Sequence, residues 1–207
     1  MTSTRHPRAL LALIAAAAGL ALAGCSIAAP GTGSGPHGSD ATEQSATEAE
    51  FLAANGLAGL SASEIIDRLD QLAIAERPSD LIASVQPDAL VLTDTAGAEL
   101  RLDMPADRVY VSVAPFQTQT HECYFHSLTT CTGELANAEV DVSLVAEDGT
   151  ILAKGARQTY DNGFIGFWMP RGIEATLTVA AGEREGSARL STMNPDDPTC
   201  ITTLQLT

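Results

Sequence analysis

The run HECYFHSLTTC, residues 121–131, carries two of the chain's four cysteines and two of its four histidines. Thiolate sulfur and imidazole nitrogen are soft or borderline donors, a set that selects copper or zinc over magnesium or calcium. Only three tyrosines and one tryptophan occur in the 207 residues, so the chain is not generally rich in ligands. Any chemistry is expected here, as soft-metal binding, thiol redox, or both. Cys25 and Cys200 are the remaining cysteines.

Cys25 has a separate fate. Arg5 and Arg8 form a basic start, and the uncharged apolar stretch from Ala9 to Ala23 follows. That stretch falls short of the roughly 20 residues that a membrane-spanning helix needs. It runs into Leu22-Ala23-Gly24-Cys25, which resembles a bacterial lipobox and implies a diacylglycerol on the Cys25 sulfur. The alternative is an ordinary secretory signal cleaved after another small residue. Residues 1–24 are thus expected to be a signal peptide, and the mature chain to be an extracytoplasmic, membrane-anchored lipoprotein of the cell envelope or periplasm. Disulfides persist in that compartment.

With Cys25 lipidated, Cys123, Cys131 and Cys200 remain, an odd number. A pure disulfide framework calls for an even one, so one thiol is left over or all three act together. An exposed extracytoplasmic thiol is prone to oxidation, which makes its presence suggestive. Loss of Arg5 and Arg8 leaves 9 of the 11 Lys and Arg against 26 Asp and Glu, a net charge of −17. Such a chain repels phosphate backbones and anionic head groups, which argues against nucleic acid as a partner.

The elements that must position these residues follow in order. Residues 25–46, rich in Ala, Gly, Ser, Pro and Thr, read as a flexible tether, with His37 as a solvated residue inside it. Residues 47–86 read as a helical segment. One helix over 47–54 stops at Asn55-Gly56. A second opens with the capping box Ser61-Ala62-Ser63-Glu64, continues through Ile65, Ile66, Leu69, Leu72 and Ala73, and ends at Arg77-Pro78. A third short helix is expected over 79–84. This segment holds too few large side chains for a core of its own, so it packs on the following domain or on a second subunit, which would make a homodimer.

From Ala89 the pattern changes to period two. Strands are expected at 89–93, 98–103, 108–114, 119–125, 138–146, 150–157, 164–169, 174–181, 186–192 and 199–206, with hairpin turns at Asp148-Gly149 and Asn162-Gly163. The fold class is therefore α+β: a small N-terminal helical segment followed by an antiparallel β-sandwich-like domain over 87–207.

Strand parity places the thiols. Cys200 shares a face with Thr202, Leu204 and Leu206, which marks that face as core. His121, Cys123 and Phe125 are expected to share another inward face, with Glu122 and Tyr124 outward, while the direction of His126 is not legible. Cys131 is brought in by the loop. Two readings stay open. The three sulfurs and a histidine converge on Cu(I) or Zn(II), or two sulfurs form a disulfide staple beside a buried third. Spacing alone favours the staple. Other groups carry weaker signals. Met169 and Met193 are expected as packing near Trp168. Ser127, Thr129 and Thr130 lack a hydrolase turn, and without a C-x-x-C a thioredoxin-like oxidoreductase is not indicated.

The run HECYFHSLTTCTGEL, the stretch NGFIGFWMP at 162–170 and the terminal TCITTLQL at 199–206 together resemble the CueP family of copper-binding envelope proteins. The resemblance covers residues 60–207 and includes the Asp-Arg-Leu-Asp helix before Arg77-Pro78. It implies copper, as Cu(I) or Cu(II), bound by Cys123, Cys131 and Cys200 in copper tolerance or delivery, with Cu(II) reduction as a thiol-based activity. It also implies a copper-accepting envelope partner such as superoxide dismutase. His121 and His126 are added as ligands from their donor chemistry and position, and zinc is the alternative metal. A lipid anchor departs from the family's freely soluble members and favours a tethered buffer. A copper-independent thiol-redox protein and a structural β-sandwich with one staple disulfide are the competing functions.

Overall fold

The computed structural model describes residues 39–207. The expected signal peptide, the lipobox, Cys25, His37 and most of the expected tether lie outside the described residues. Among those described, no helix is long and apolar enough to cross a membrane.

Two helices lead the described chain. α1 (Ser39–Ala54) ends where Gly56 takes φ +69°. The amide of Gly56 returns to the Ala53 carbonyl, and that of Leu57 to the Leu52 carbonyl. This pair of bonds satisfies carbonyls that the helix end would otherwise orphan. α2 (Ala62–Asp70) carries the expected capping box, with the Ser61 amide donating to Glu64 Oε2 at 2.8 Å. Its buried face is Ile65, Ile66 and Leu69. Each such burial contributes roughly 1.5–3 kcal/mol relative to an exposed side chain. Asp70, four residues after Ile66, shares that buried face.

Eleven strands follow in three sheets. β1 (Leu81–Val85), β2 (Ala89–Asp94), β3 (Glu99–Asp103) and β5 (His126–Ser127) form a sheet in the order β3-β2-β1-β5. β4 (Arg108–Val113), β8 (Ile165–Pro170) and β11 (Cys200–Ile201) form another, in the order β11-β4-β8. β6 (Glu139–Ala146), β7 (Ile151–Gln158), β9 (Glu174–Ala181) and β10 (Arg184–Ser191) form the third, in the order β10-β9-β6-β7. All pairings are antiparallel except β11 with β4.

The strand β4 joins two cores because its side chains alternate. Val109, Val111 and Val113 face a sandwich core shared with Val140, Val142, Leu177 and Val179. Tyr110, between them, faces a second core built from α2 and the first sheet. The helical segment thus packs on the β domain, the first of the two expected arrangements. The expected α+β architecture with a sandwich-like β part is the observed one.

Several local expectations are corrected. Residues 79–84 are not a helix: β1 occupies Leu81–Val85, with alternate residues Leu81, Ala83 and Val85 buried. The second helix ends at Asp70, and a 3-10 turn over Ile74–Glu76 follows, so Arg77-Pro78 does not terminate it. Residues 119–125 form no strand. The Glu134 carboxylate takes the amides of Gln117 and Thr118, at 2.6 and 3.0 Å, on the approach to that segment, so the chain enters it from a loop and not from a ladder. His121 is consequently exposed, while Cys123 and Phe125 are half-buried. Glu122 and Tyr124 point outward as expected. The C-terminal strand is confined to Cys200–Ile201 plus one bridge between Gln205 and Phe116, yet Cys200, Thr202, Leu204 and Leu206 are all buried. Asp148-Gly149 closes the β6–β7 hairpin, but Asn162-Gly163 joins β7 to β8, which lie in different sheets. Met169 is buried and Met193 is exposed.

Candidate metal and thiol site

Cys123 and Cys200 are joined by a disulfide with Cα atoms 5.6 Å apart. The backbone brings them together: the amides of Thr199 and Cys200 both donate to the carbonyl of Tyr124, each at 3.0 Å. Cys131 is the free cysteine among the described residues, and its Sγ stands 3.5 Å from that of Cys123. A tight turn after β5 delivers it. The Cys131 amide donates to the Ser127 carbonyl at 3.1 Å, and the Ser127 amide reaches the Cys131 sulfur at 3.4 Å. The Arg77 guanidinium holds the Cys131 carbonyl at 2.8 Å from outside that turn.

A glycine pair sets the floor of the same loop. Gly133 donates to the Asn162 carbonyl at 2.6 Å, and a Cβ on Gly163 would stand 2.6 Å from the Gly133 carbonyl oxygen. Gly163 also has φ +78°. Only glycine permits both the conformation and the approach.

His126 is fully buried on β5, in register with Val85. Its ring lies 4.5 Å from that of Phe164, and its Nδ1 is 3.8 Å from the Cys200 sulfur. Nε2 lies 2.9 Å from Oδ1 of Asp70. Asp70, also fully buried, receives further bonds from Tyr110 Oη at 2.6 Å, Ser112 Oγ at 3.2 Å and Asn162 Nδ2 at 2.8 Å.

The electrostatics follow from these contacts. Burial works against the Asp70 carboxylate, but the facing His126 and the hydrogen bonds from His126, Tyr110 and Asn162 outweigh it and lower its pKa. Burial likewise opposes the His126 imidazolium, yet the charge and hydrogen bond of Asp70 raise its pKa to about 9, with Cys131 helping. Burial pushes the Cys131 thiol up, while the His126 hydrogen bond and charge, the Ser127 amide and Arg77 pull it below its ordinary value. That environment favours thiolate, the form that attacks disulfides and binds soft metals.

Two overlapping donor sets share Cys131. His121, Cys123 and Cys131 form an outer set, and His126, Cys131 and Cys200 an inner one; within each, the donor atoms lie within 4.8 Å of one another. An open cavity of about 480 Å³ gives access to His121, Cys123 and Cys131, whereas Cys200 and His126 lie behind them. All five residues singled out in the sequence are therefore brought to one place, His121 at the rim and His126 at the base. Sulfur and imidazole donors fit copper. With the disulfide closed, Cys131 alone of these three cysteines keeps a thiol, so the full three-thiolate set belongs to the reduced form.

Sequence reasoning missed Asp70, Arg77 and Asn162. Asp70 carried a signal, since a carboxylate on the apolar face of an amphipathic helix requires a buried partner. In the sequence Asn162 reads as a turn residue alone, and Arg77 as part of a helix stop.

The sequence profile described as "Periplasmic copper-binding protein CueP" matches residues 64–205. Among curated proteins none matches the chain. A solved structure, the crystal structure of S.CueP, superposes with a TM-score of 0.72 at 36% sequence identity, covering 78% of this chain and 98% of that one. The matched span includes the cavity, all three clustered cysteines and both histidines, and on that extent the chain belongs to the CueP family of periplasmic copper-binding proteins.

Proposed function

We propose that this protein is an extracytoplasmic copper-binding protein that holds Cu(I) through the thiolates of Cys123, Cys131 and Cys200, with His126 and His121 as imidazole donors. The observation that carries the reading is the convergence of three sulfurs, the closely spaced Cys123 and Cys131 lining one cavity and the distant Cys200 bonded to Cys123 behind them. Cu(I) is a soft ion and takes such donors in deprotonated form. Zinc fits the same donors with lower thiolate preference, and is the alternative metal.

The Cys123–Cys200 disulfide supports a reductive role. Two thiolates each give one electron to a Cu(II) ion, one S–S bond forms, and two Cu(I) ions result. Cys131 and the histidines remain as donors for the metal. A return to the reduced form requires two electrons from an envelope dithiol reductant. Cys25 as a lipid-bearing residue, with residues 1–24 as signal and 25–46 as tether, its part from Ser39 onward helical in α1, would make the protein a membrane-anchored buffer. An acceptor of the superoxide dismutase type would then receive copper from it.

A free thiol beside a closed disulfide also supports a second reading, a copper-independent thiol-redox protein. Titration of the reduced protein against a chromogenic Cu(I) chelator separates the two. Wild type should compete strongly and the Cys123/Cys131/Cys200→Ser variant should not. Equal, poor competition by both would leave the thiol-redox reading standing. Thiol counts before and after Cu(II) test reduction: a loss of two thiols per two Cu(I) formed is expected.

A further inference from the structure

We propose that Asp70 is a positioning residue for the metal site: its carboxylate, on the last turn of α2, dictates which nitrogen of His126 faces the sulfurs. The inference rests on the copper reading above and assigns a role to a residue outside the donor sets.

Both oxygens of Asp70 are fully used. Oδ1 receives His126 Nε2 at 2.9 Å and Asn162 Nδ2 at 2.8 Å, while Oδ2 receives Tyr110 Oη at 2.6 Å and Ser112 Oγ at 3.2 Å. No lone pair is left for a metal, so Asp70 acts through His126 and is not a ligand. The carboxylate is itself locked. Asn162 Nδ2 also bonds the Asp70 backbone carbonyl at 3.1 Å, and Asn162 Oδ1 accepts the Phe164 amide at 2.9 Å. Tyr110 and Ser112 come from the face of β4 opposite the sandwich core, so three elements, β4, the β7–β8 turn and α2, fix one carboxylate.

The ring of His126 is held as tightly. Its backbone amide donates to Thr199 Oγ1 at 3.0 Å, and Phe164 packs against the imidazole. With Nε2 committed to Asp70, Nδ1 is the nitrogen presented to Cys200 and Cys131. A carboxylate behind a ligating histidine fixes its tautomer and raises its basicity, and its loss costs about 10- to 100-fold in metal affinity.

The test uses the reduced full chain and Cu(I) alone, in competition with a Cu(I) chelator. Asp70→Asn and His126→Ala should each weaken binding by about 10- to 100-fold. In the His126→Ala background, Asp70→Asn should add almost nothing, because its route is gone. An undiminished second loss would mark Asp70 as merely structural and overturn the proposal. So would wild-type affinity in Asp70→Asn. A second measurement needs no variant: in ¹⁵N-histidine spectra of wild type, Cu(I) should shift His126 Nδ1 while Nε2 keeps its proton. A shift at Nε2 instead would overturn the assignment. Failure of wild type to hold Cu(I) would sink the copper reading and this one with it, whereas unaltered binding by Asp70→Asn sinks this one alone.

Discussion

The sulfur of Cys131 stands 3.5 Å from that of Cys123, which is already bonded to Cys200. One free thiol thus rests against a closed disulfide, with the free one and one disulfide partner open to the cavity and the other partner sealed. Reactivity at the three positions should differ accordingly.

Alkylation of the oxidised protein should label Cys131 and leave Cys123 and Cys200 unmodified. After reduction, Cys123 should react well before Cys200, which is 2% exposed. Peptide mapping by mass spectrometry over time reads the order. Labelling of Cys200 first would contradict the buried placement.

Cys123→Ser removes a disulfide that spans a sequence separation of 77. Loss of a native disulfide costs about 2–5 kcal/mol. Urea unfolding of the oxidised wild type, the variant and reduced wild type should place the last two together. Adding Cu(I) should raise the melting temperature of reduced wild type and leave that of the triple Cys→Ser variant unchanged, because binding to the native state alone stabilises it.

Glu134 anchors the loop that leads to His121. It accepts a short hydrogen bond from the Thr118 hydroxyl as well as the amides of Gln117 and Thr118. These bonds, the Thr118 hydroxyl first, hold its pKa down to about 2. A depressed carboxylate contributes stability above its unfolded value of about 4.5, and that contribution is lost as pH falls through about 2. The stability gap between wild type and Glu134→Gln should therefore be flat from pH 5 to 8, by about the same amount throughout, and shrink below about 4.5. Denaturation midpoints across pH would show it; a gap that widens on acidification would contradict the assignment.

Gly149 and Gly163 form an internal comparison, with φ of +87° and +78°. Alanine at either position pays about 1–2 kcal/mol for the left-handed conformation. At Gly149 the added Cβ meets nothing within 4 Å, whereas at Gly163 it meets Gly133 backbone. Gly163→Ala should be the more destabilising, and should also weaken Cu(I) binding by shifting the Cys131 loop. Equal melting temperatures would refute the close-approach argument.

His121 is exposed at the cavity rim. His121→Ala should leave stability within about 0.5 kcal/mol, as surface changes do. Its loss of Cu(I) affinity should be smaller than that of Cys131→Ser, which removes the donor common to both sets. Chelator competition compares them directly.

Amino-acid order alone determined much of this protein. Ser61 and Glu64 announced the start of α2, Asn55-Gly56 the end of α1, and the alternation at Val109, Val111 and Val113 a sandwich strand, because caps and parity are local. Leu204 and Leu206, on the same face as Cys200, mark it as a core residue, and it is buried. Local pattern failed where long-range partners decide the outcome. Leu81–Val85 became a strand because β2 and β5 flank it, and residues 119–125 lost their ladder where Glu134 took the amides at the loop's start. Which cysteines pair depends on the Tyr124 carbonyl meeting Thr199 and Cys200, a contact across more than seventy positions. The donors could be named from their types; the carboxylate behind His126 could not, because only tertiary packing carries Asp70 from a helix to a site 56 residues away.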